Sequence, residues 1–419
     1  MTNWAGNVRF VAQRLHRPST VEELRRVVAG SRRVRALGTG HSFSRVADSG
    51  GDLVCVAGLP PSVQIDAERA SVTVAAGVRY GDLAAHLHAA GYALRNLGSL
   101  PHISVAGACA TGTHGSGDRN GGLATAVSGI ELVTADGEMI GLSRADGERF
   151  RGAVVGLGAL GVVTRLTLDI VPTFDIAQYV YEDMPRVQLD EHFTDIMASA
   201  YSVSLFTRWT SSGIDQVWLK RRVDEVGSFT LRRSWMGATL ADGPRHPVPG
   251  MPAANCTQQL GVPGPWHARL PHFRMEFTPS SGEELQSEYL IPRDRAVEGL
   301  SAITAIRDRV AAVLQVSEIR TVAADELWMS PSCQRDSVAI HFTWIRDERA
   351  VAPVIAAVEE QLAPFDPRPH WGKLFAMGAD VVRGRYQRLP DFQRLVGQFD
   401  PDGKFRNDML DPYVTIDAS

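Results

Sequence analysis

The stretch Leu37-Gly38-Thr39-Gly40-His41-Ser42-Phe43 leaves a strand predicted at 33–37 and sets small residues around a single histidine. Small residues let the backbone come close to a ligand, and consecutive N–H groups can then cradle a pyrophosphate. A second loop, Gly107-Ala108-Cys109-Ala110-Thr111-Gly112-Thr113-His114-Gly115-Ser116-Gly117, is built almost entirely from small residues. Taken alone, each loop also fits an ordinary tight turn. Neither is a Walker loop, because no Gly-Lys-Ser/Thr follows. One formal dinucleotide fingerprint exists, Gly156-Leu157-Gly158-Ala159-Leu160-Gly161. It works only if a helix N-terminus follows, whereas here the alternating, β-branched 162–168 follows and no acidic residue stands at the expected distance. That segment is read as a glycine-rich turn into a strand.

Outward from the first loop, Thr20 and Glu23 form a capping box that opens a helix through Val21, Leu24, Val27 and Val28. Strands are predicted at 53–59, 63–66 and 71–75, then a helix at about 80–90 and a strand at 162–170. Ala135-Asp136-Gly137 between 130–134 and 138–142 signals a hairpin. After Pro172 the texture changes. Strands are expected at 202–209, 216–221, 285–290, 317–322 and 338–344, and helices at 296–314 and 350–362. The Pro/Gly-rich 243–271 is too long for a plain connector. The expected organisation is a cofactor domain over 1–172, a middle α+β domain over 173–365, and a tail over 366–419 that returns to the first.

Strand alternation adds a chemical signal in the middle region. Glu318 and Arg320 share a face, as do His341 and Thr343, and as do Gln286 and Glu288. Val338, Ile340, Phe342 and Trp344 fill the opposite face of their strand. One wet face of an antiparallel sheet would explain this, and so would a polar pocket floor. A floor of this kind suits a small polyhydroxylated ligand, whose hydroxyls each need a partner once desolvated. His370-Trp371-Gly372-Lys373 adds an aromatic and a cation.

Composition narrows the classes. The chain has 419 residues, 44% of them hydrophobic, and a net charge of −4 with no basic stripe, so nothing points to nucleic acid or an anionic membrane. No apolar run approaches the roughly 18 residues of a membrane span, and the first residues lack the features of a signal peptide. The four cysteines are scattered without zinc or disulfide spacing. A cytoplasmic protein is expected. The twelve histidines show no paired ligand spacing, so no metal is expected. No heptad suggests an oligomer, and a monomer is expected.

Together, these segments resemble the alditol oxidases, a branch of the vanillyl-alcohol-oxidase (PCMH-type) flavoproteins related to the sugar-lactone oxidases. The likeness rests on Thr2–Gly6, the 37–43 loop, 99–107, 110–117, 157–164, Ser317-Glu318-Ile319-Arg320-Thr321-Val322-Ala323-Ala324-Asp325, and Pro369-His370-Trp371-Gly372-Lys373. It is weakest around 223–245. The resemblance implies an α+β protein with a two-lobed FAD-binding domain and a cap domain carrying a large antiparallel sheet. It implies FAD bound covalently at the 8α carbon through His41. Ala36, Leu37, Gly38, Thr39, Gly40, Ser42, Ser104, Gly107, Ala108, Cys109, Ala110 and Thr111 would line the pyrophosphate and flavin. Gly98 and Lys373 would lie beside the flavin, and Val162 or Val163 near the adenine. Pro401, Phe405 and Asn407 match the closing turn of the family. Glu318, Arg320 and Lys373 would be catalytic. Ser99 and Thr343 would surround the terminal CH₂OH of a linear polyol, with His341 and Gln286 further along. The implied chemistry is hydride transfer from C1 to flavin N5, followed by reduction of O₂ to H₂O₂. Gly98 replaces the alanine usual in the family, which favours oxidase behaviour; a backbone need for glycine explains it equally well. The alternative is an aldonolactone oxidase or dehydrogenase on the same fold.

Overall fold

The computed structural model describes residues 1–210, 213–225 and 231–415. Half of the expected capping box forms: Thr20 caps the helix, but the Glu23 carboxylate reaches past the Thr20 N–H to that of Ser19. Thr20 accepts the Glu23 N–H at 3.1 Å, Glu23 accepts the Ser19 N–H at 2.8 Å, and the helix Val21–Gly30 follows. Its Leu24 and Val28 pack with Val34 and Val54 of a small parallel sheet. In that sheet Asp52–Cys55 lies between Arg14–His16 and Val34–Leu37. A second, antiparallel sheet has the order Val63–Asp66, Ser71–Ala75, Val162–Asp169, Val127–Val133, Met139–Ser143.

The third sheet has ten strands. Its path runs Ser234–Trp235, Ala238–Leu240, Asp175–Pro185, Gly213–Arg222, Ser202–Thr207, Leu314–Val322, Ser337–Trp344, Leu285–Pro292, Arg368–Pro369, with Gly264–Pro265 pairing off the path. One face carries Leu205, Val217, Ile319, Ile340, Phe342 and Trp344 beneath the helices Arg186–Met197, Ala296–Ala305 and Glu348–Leu362. The opposite face carries the polar row of Gln286, Glu288, Glu318, Arg320, His341 and Thr343 beside an apolar patch of Val180, Phe206, Trp218 and Val316, on which Val248, Cys256 and Phe273 of the Pro/Gly-rich stretch pack. The length of that loop thus has a structural reason, since it roofs the face that the alternation marks as hydrophilic.

Several elements differ from expectation. The strand predicted at 53–59 stops at Cys55, and Val56–Gly58 coils into a 3₁₀ turn. The helix predicted at 296–314 breaks at Ile306, whose φ of −113° is not helical, and resumes as Arg307–Ala311. Asp175–Pro185 is an eleven-residue strand whose alternation is obscured in sequence by Gln178 among apolar neighbours and by Asp183 at φ +59°. The small-residue loop at 107–117 begins inside a short helix, Val105–Ala110. Gly156–Gly161 does run into a strand.

The C-terminal segment packs against the first part of the chain. Trp371, Phe392, Val396 and Tyr413 share a core with Leu83, Val105 and Leu157. Asn407 donates to the carbonyls of Arg45, Val46 and Asp48 at 3.0, 3.3 and 2.8 Å. Among the described residues no helix is long and apolar enough to cross a membrane.

Candidate functional site

One continuous cavity of about 2080 Å³, its open mouth included, joins the glycine loops to the polar face of the ten-stranded sheet. Residues 36–42, Gly98, Ser99, Ser104, 107–111 and Val163 all line it, and so do Gln286, Glu318, Arg320, His341, Thr343 and Lys373. Val162 alone of the expected residues stands apart, with its side chain buried among Leu24, Val133 and Phe405. Strand alternation explains the difference: Val162 and Val163 point to opposite sides.

The loop end of the cavity offers unpaired backbone donors that could hold an anionic group. Among the described residues, the N–H groups of Thr39, Gly40, His41 and Ser42 donate to nothing in the protein. A Cβ on Gly38 would lie 2.3 Å from the Ser104 hydroxyl oxygen, and one on Gly107 would lie 2.8 Å from it, so with glycine at both positions this serine hydroxyl sits close between the two loops. Gly40 turns at φ +71°. The N-terminal segment braces the loop: Trp4 donates to Gly40 O at 2.8 Å, and its ring stacks on His41 with centroids 5.3 Å apart. His41 Nδ1 is buried and has no hydrogen-bond partner. Burial, with His102 nearby, pushes the His41 imidazole down to about 4, so it is neutral at pH 7.

The sheet end is a charged floor set by register. Glu318 pairs opposite His341, and His341 opposite Glu288, so three strands put these side chains in one row. Arg320 donates to Glu288 Oε1 at 2.6 Å and to the Ser99 hydroxyl at 3.2 Å. Lys373 donates to Glu288 Oε2 at 2.7 Å and lies 2.7 Å from His341 Nδ1, whose other nitrogen is 3.1 Å from Thr343 Oγ1. Gln286 donates to Glu284. The two ends are tied together, since Phe43 donates to Gly372 O at 2.7 Å and Ser44 to Trp371 O at 2.7 Å.

Burial and charge shape this floor in opposite directions. Burial alone would raise the Glu288 carboxyl, but Lys373, His114 and Arg320 hold it well below its ordinary value. Glu318 is likewise held low against burial, by Arg320 and His272. Lys373 goes the other way, since its burial outweighs the pull of Glu288. Burial and the adjacent Lys373 keep His341 well below its usual value, hence neutral.

Sequence alone does not reveal the hub of this network. Glu288, 1% exposed, contacts Arg320 and Lys373 and lies 3.4 Å from His114. Its shared face with Gln286 was the available signal. Lys220 was equally legible, since it shares a strand face with Gln216 and Trp218. His272, which contacts Glu318, lies in the roofing loop, where no periodicity marks it. Gly98 has no positive φ, and an added Cβ would meet nothing nearer than 3.7 Å, so the backbone explanation for that glycine falls away. Among the described residues no group of histidine, cysteine, aspartate and glutamate is suited to hold a metal.

Comparison with known proteins agrees with this architecture. The sequence profile of an FAD binding domain matches residues 12–143, and that of D-arabinono-1,4-lactone oxidase matches 281–413. Cholesterol oxidase from B. sterolicum has the same fold, with a TM-score of 0.76 over 99% of this chain and 96% of that one at 15% identity. Fold and profiles therefore define an FAD-dependent oxidoreductase with a large antiparallel sheet. The alditol oxidase of Streptomyces sp. (strain IKD472 / FERM P-14339) is 55% identical over 98% of both chains. L-gulono-1,4-lactone dehydrogenase of Mycobacterium tuberculosis is 29% identical over 97% of both, and L-gulonolactone oxidase of Bos taurus 28% identical over 98% of this chain and 97% of its own. The chain belongs to the alditol oxidase family.

Proposed function

We propose that this chain is an FAD oxidase that converts the terminal CH₂OH of linear alditols such as xylitol and sorbitol to the aldose, with release of H₂O₂. The observation that carries the reading is the floor of Glu288, Glu318, Arg320, His341 and Lys373, which shares one cavity with the loop around His41. When bound, FAD supplies the hydride acceptor at N5 and the route of both electrons to O₂.

The remaining work falls to the chain's own residues. Ser99, Glu318, Arg320, Thr343 and Lys373 surround the terminal CH₂OH, while His341 and Gln286 hold hydroxyls further along the polyol. Glu318 Oε1 is occupied by His272, which leaves Oε2 as an acceptor for a substrate O–H. Lys373 and Arg320 stabilise the negative charge that develops on the C1 oxygen as its proton leaves. Glu288 fixes both cations, so their donors are oriented before substrate arrives.

His41 carries the flavin at the 8α carbon. A neutral imidazole with a free nitrogen lone pair is the form that can make this bond, and the low His41 value and unpartnered Nδ1 support it. Residues 1–172 and 366–419 form the FAD-binding part, with 173–365 as the cap. The enzyme is read as a cytoplasmic monomer; the four cysteines, all buried and unpaired, suit a reducing compartment.

The second reading is an aldonolactone oxidase or dehydrogenase, favoured by the profile matching 281–413. A peroxide assay across xylitol, sorbitol and L-gulono-1,4-lactone separates the two. Peroxide with the alditols is the expected result, and turnover of the lactone alone would favour the second reading.

A further inference from the structure

Behind Glu318 lies a chain of buried polar groups that the reaction as described does not use. Lys220, 1% exposed, has its ammonium against the carbonyls of Leu270 and Pro271 and lies 2.9 Å from His272 Nδ1. Those three acceptors match the three donors of an ammonium. Burial draws Lys220 down to about 7, with Glu318 and Cys256 opposing and Arg320 reinforcing that fall. Because His272 Nδ1 accepts, the imidazole proton sits on Nε2, which donates to Glu318 Oε1 at 2.8 Å. Burial first, then Lys220, keeps this imidazole near 4 and hence neutral. Phe206 and Trp218 pack edge-on against its ring and fix its plane.

Arg320 Nε shows what this chain prevents. It is a buried donor without a hydrogen-bond partner, 3.6 Å from Glu318 Oε1. Guanidinium and carboxylate at that separation would ordinarily close into a two-pronged pair. Closure would engage both carboxylate oxygens with the guanidinium and leave neither free for a substrate hydroxyl.

We propose that Lys220 and His272 are positioning residues that hold Glu318 out of a closed pair with Arg320, so that one carboxylate oxygen stays free for the substrate hydroxyl. Lys220 sets the tautomer of His272, and His272 sets the rotamer of Glu318. Lys220 does not line the cavity, and His272, which does, has both ring nitrogens engaged, by Lys220 and by Glu318. The inference rests on the alditol reading above and adds two residues to it, one from the sheet and one from the roofing loop.

The test is anaerobic rapid mixing of the flavin-loaded enzyme with xylitol, reading the limiting rate of flavin bleaching and the apparent Kd separately. Wild type is compared with His272→Leu, His272→Gln and Lys220→Met, each first checked for flavin content and Tm. The limiting rate of His272→Leu is expected to fall about 100-fold, the usual cost of a misplaced reacting group, with Kd changed less than threefold. His272→Gln keeps an N–H donor for Glu318 and is expected to recover most of the rate. Lys220→Met should fall between them. A folded, flavin-loaded His272→Leu that bleaches within threefold of wild type would overturn the proposal, as would a His272→Gln as slow as His272→Leu. Should His272→Leu not fold, a wild-type rate in Lys220→Met does the same. Wild type that stays yellow with xylitol would instead overturn the alditol reading itself, and this role with it.

Discussion

The two ends of the cavity solve different problems with different materials. The loop end uses backbone N–H groups, glycines and one histidine, and its charge is spread over peptide dipoles. The sheet end concentrates Glu288, Glu318, Arg320 and Lys373 in side chains brought together by strand register. A cofactor that is held permanently needs close approach and an attachment point. A substrate that comes and goes needs donors and acceptors already oriented in its absence, and buried charges do this only when each is paired. The loop end should therefore fail through shape, and the sheet end through charge.

The largest effect is expected at the attachment point. His41→Ala should abolish the flavin fluorescence that follows wild type into a denaturing gel, while leaving the fold intact. Fluorescence that persists in the variant would move the attachment elsewhere.

Breaking the floor comes next. Glu288→Gln leaves Arg320 and Lys373 without their shared counter-charge and should cost about 3–5 kcal/mol of stability, measured by denaturant unfolding at pH 7. The pH dependence follows from the direction of the shift. A carboxyl held low in the fold adds stability above its unfolded value of about 4.3 and loses that contribution as pH falls through the folded value. The advantage of wild type over Glu288→Gln should therefore be full at pH 7 and shrink in acid. An advantage that grows on acidification would show that Glu288 is not held as a carboxylate.

Much of the loop end was legible in sequence. Loop composition is local: Gly40 takes a positive φ, and Gly38 and Gly107 leave room for the Ser104 hydroxyl between the loops. Half of the sheet end was legible as well, because alternation put Glu318 with Arg320 and His341 with Thr343. What escaped was pairing. Glu288 becomes the hub only when Leu285–Pro292 docks beside Ser337–Trp344, and no pattern within one strand specifies its neighbour. His272 escaped for a stronger reason, since its position depends on how an irregular loop folds back over the sheet. The strand Asp175–Pro185 was lost where a positive φ at Asp183 interrupts its alternation.

Smaller effects sharpen the shape side of the comparison. Gly38→Ala forces the Ser104 hydroxyl to swing aside, at a cost of about 0.5–1.5 kcal/mol, and should lower flavin content. Adding Ser104→Gly removes the obstacle and should restore loading; failure to do so would mean that Gly38 is needed for another reason. Gly98→Ala should be the mildest, within about 0.5 kcal/mol in stability, because its Cβ meets only ordinary contacts. Any slowing of flavin reoxidation by O₂ in that variant, read by stopped-flow absorbance, would then reflect access to the flavin and not a damaged backbone.

The most direct test of the alditol oxidase reading is a single-turnover titration of the flavin-loaded enzyme with xylitol under anaerobic conditions, followed by admission of air. One flavin should bleach per xylitol consumed, with one H₂O₂ released as the yellow colour returns. Flavin that stays oxidised with xylitol but bleaches with L-gulono-1,4-lactone would contradict it and assign the charged floor to a cyclic substrate.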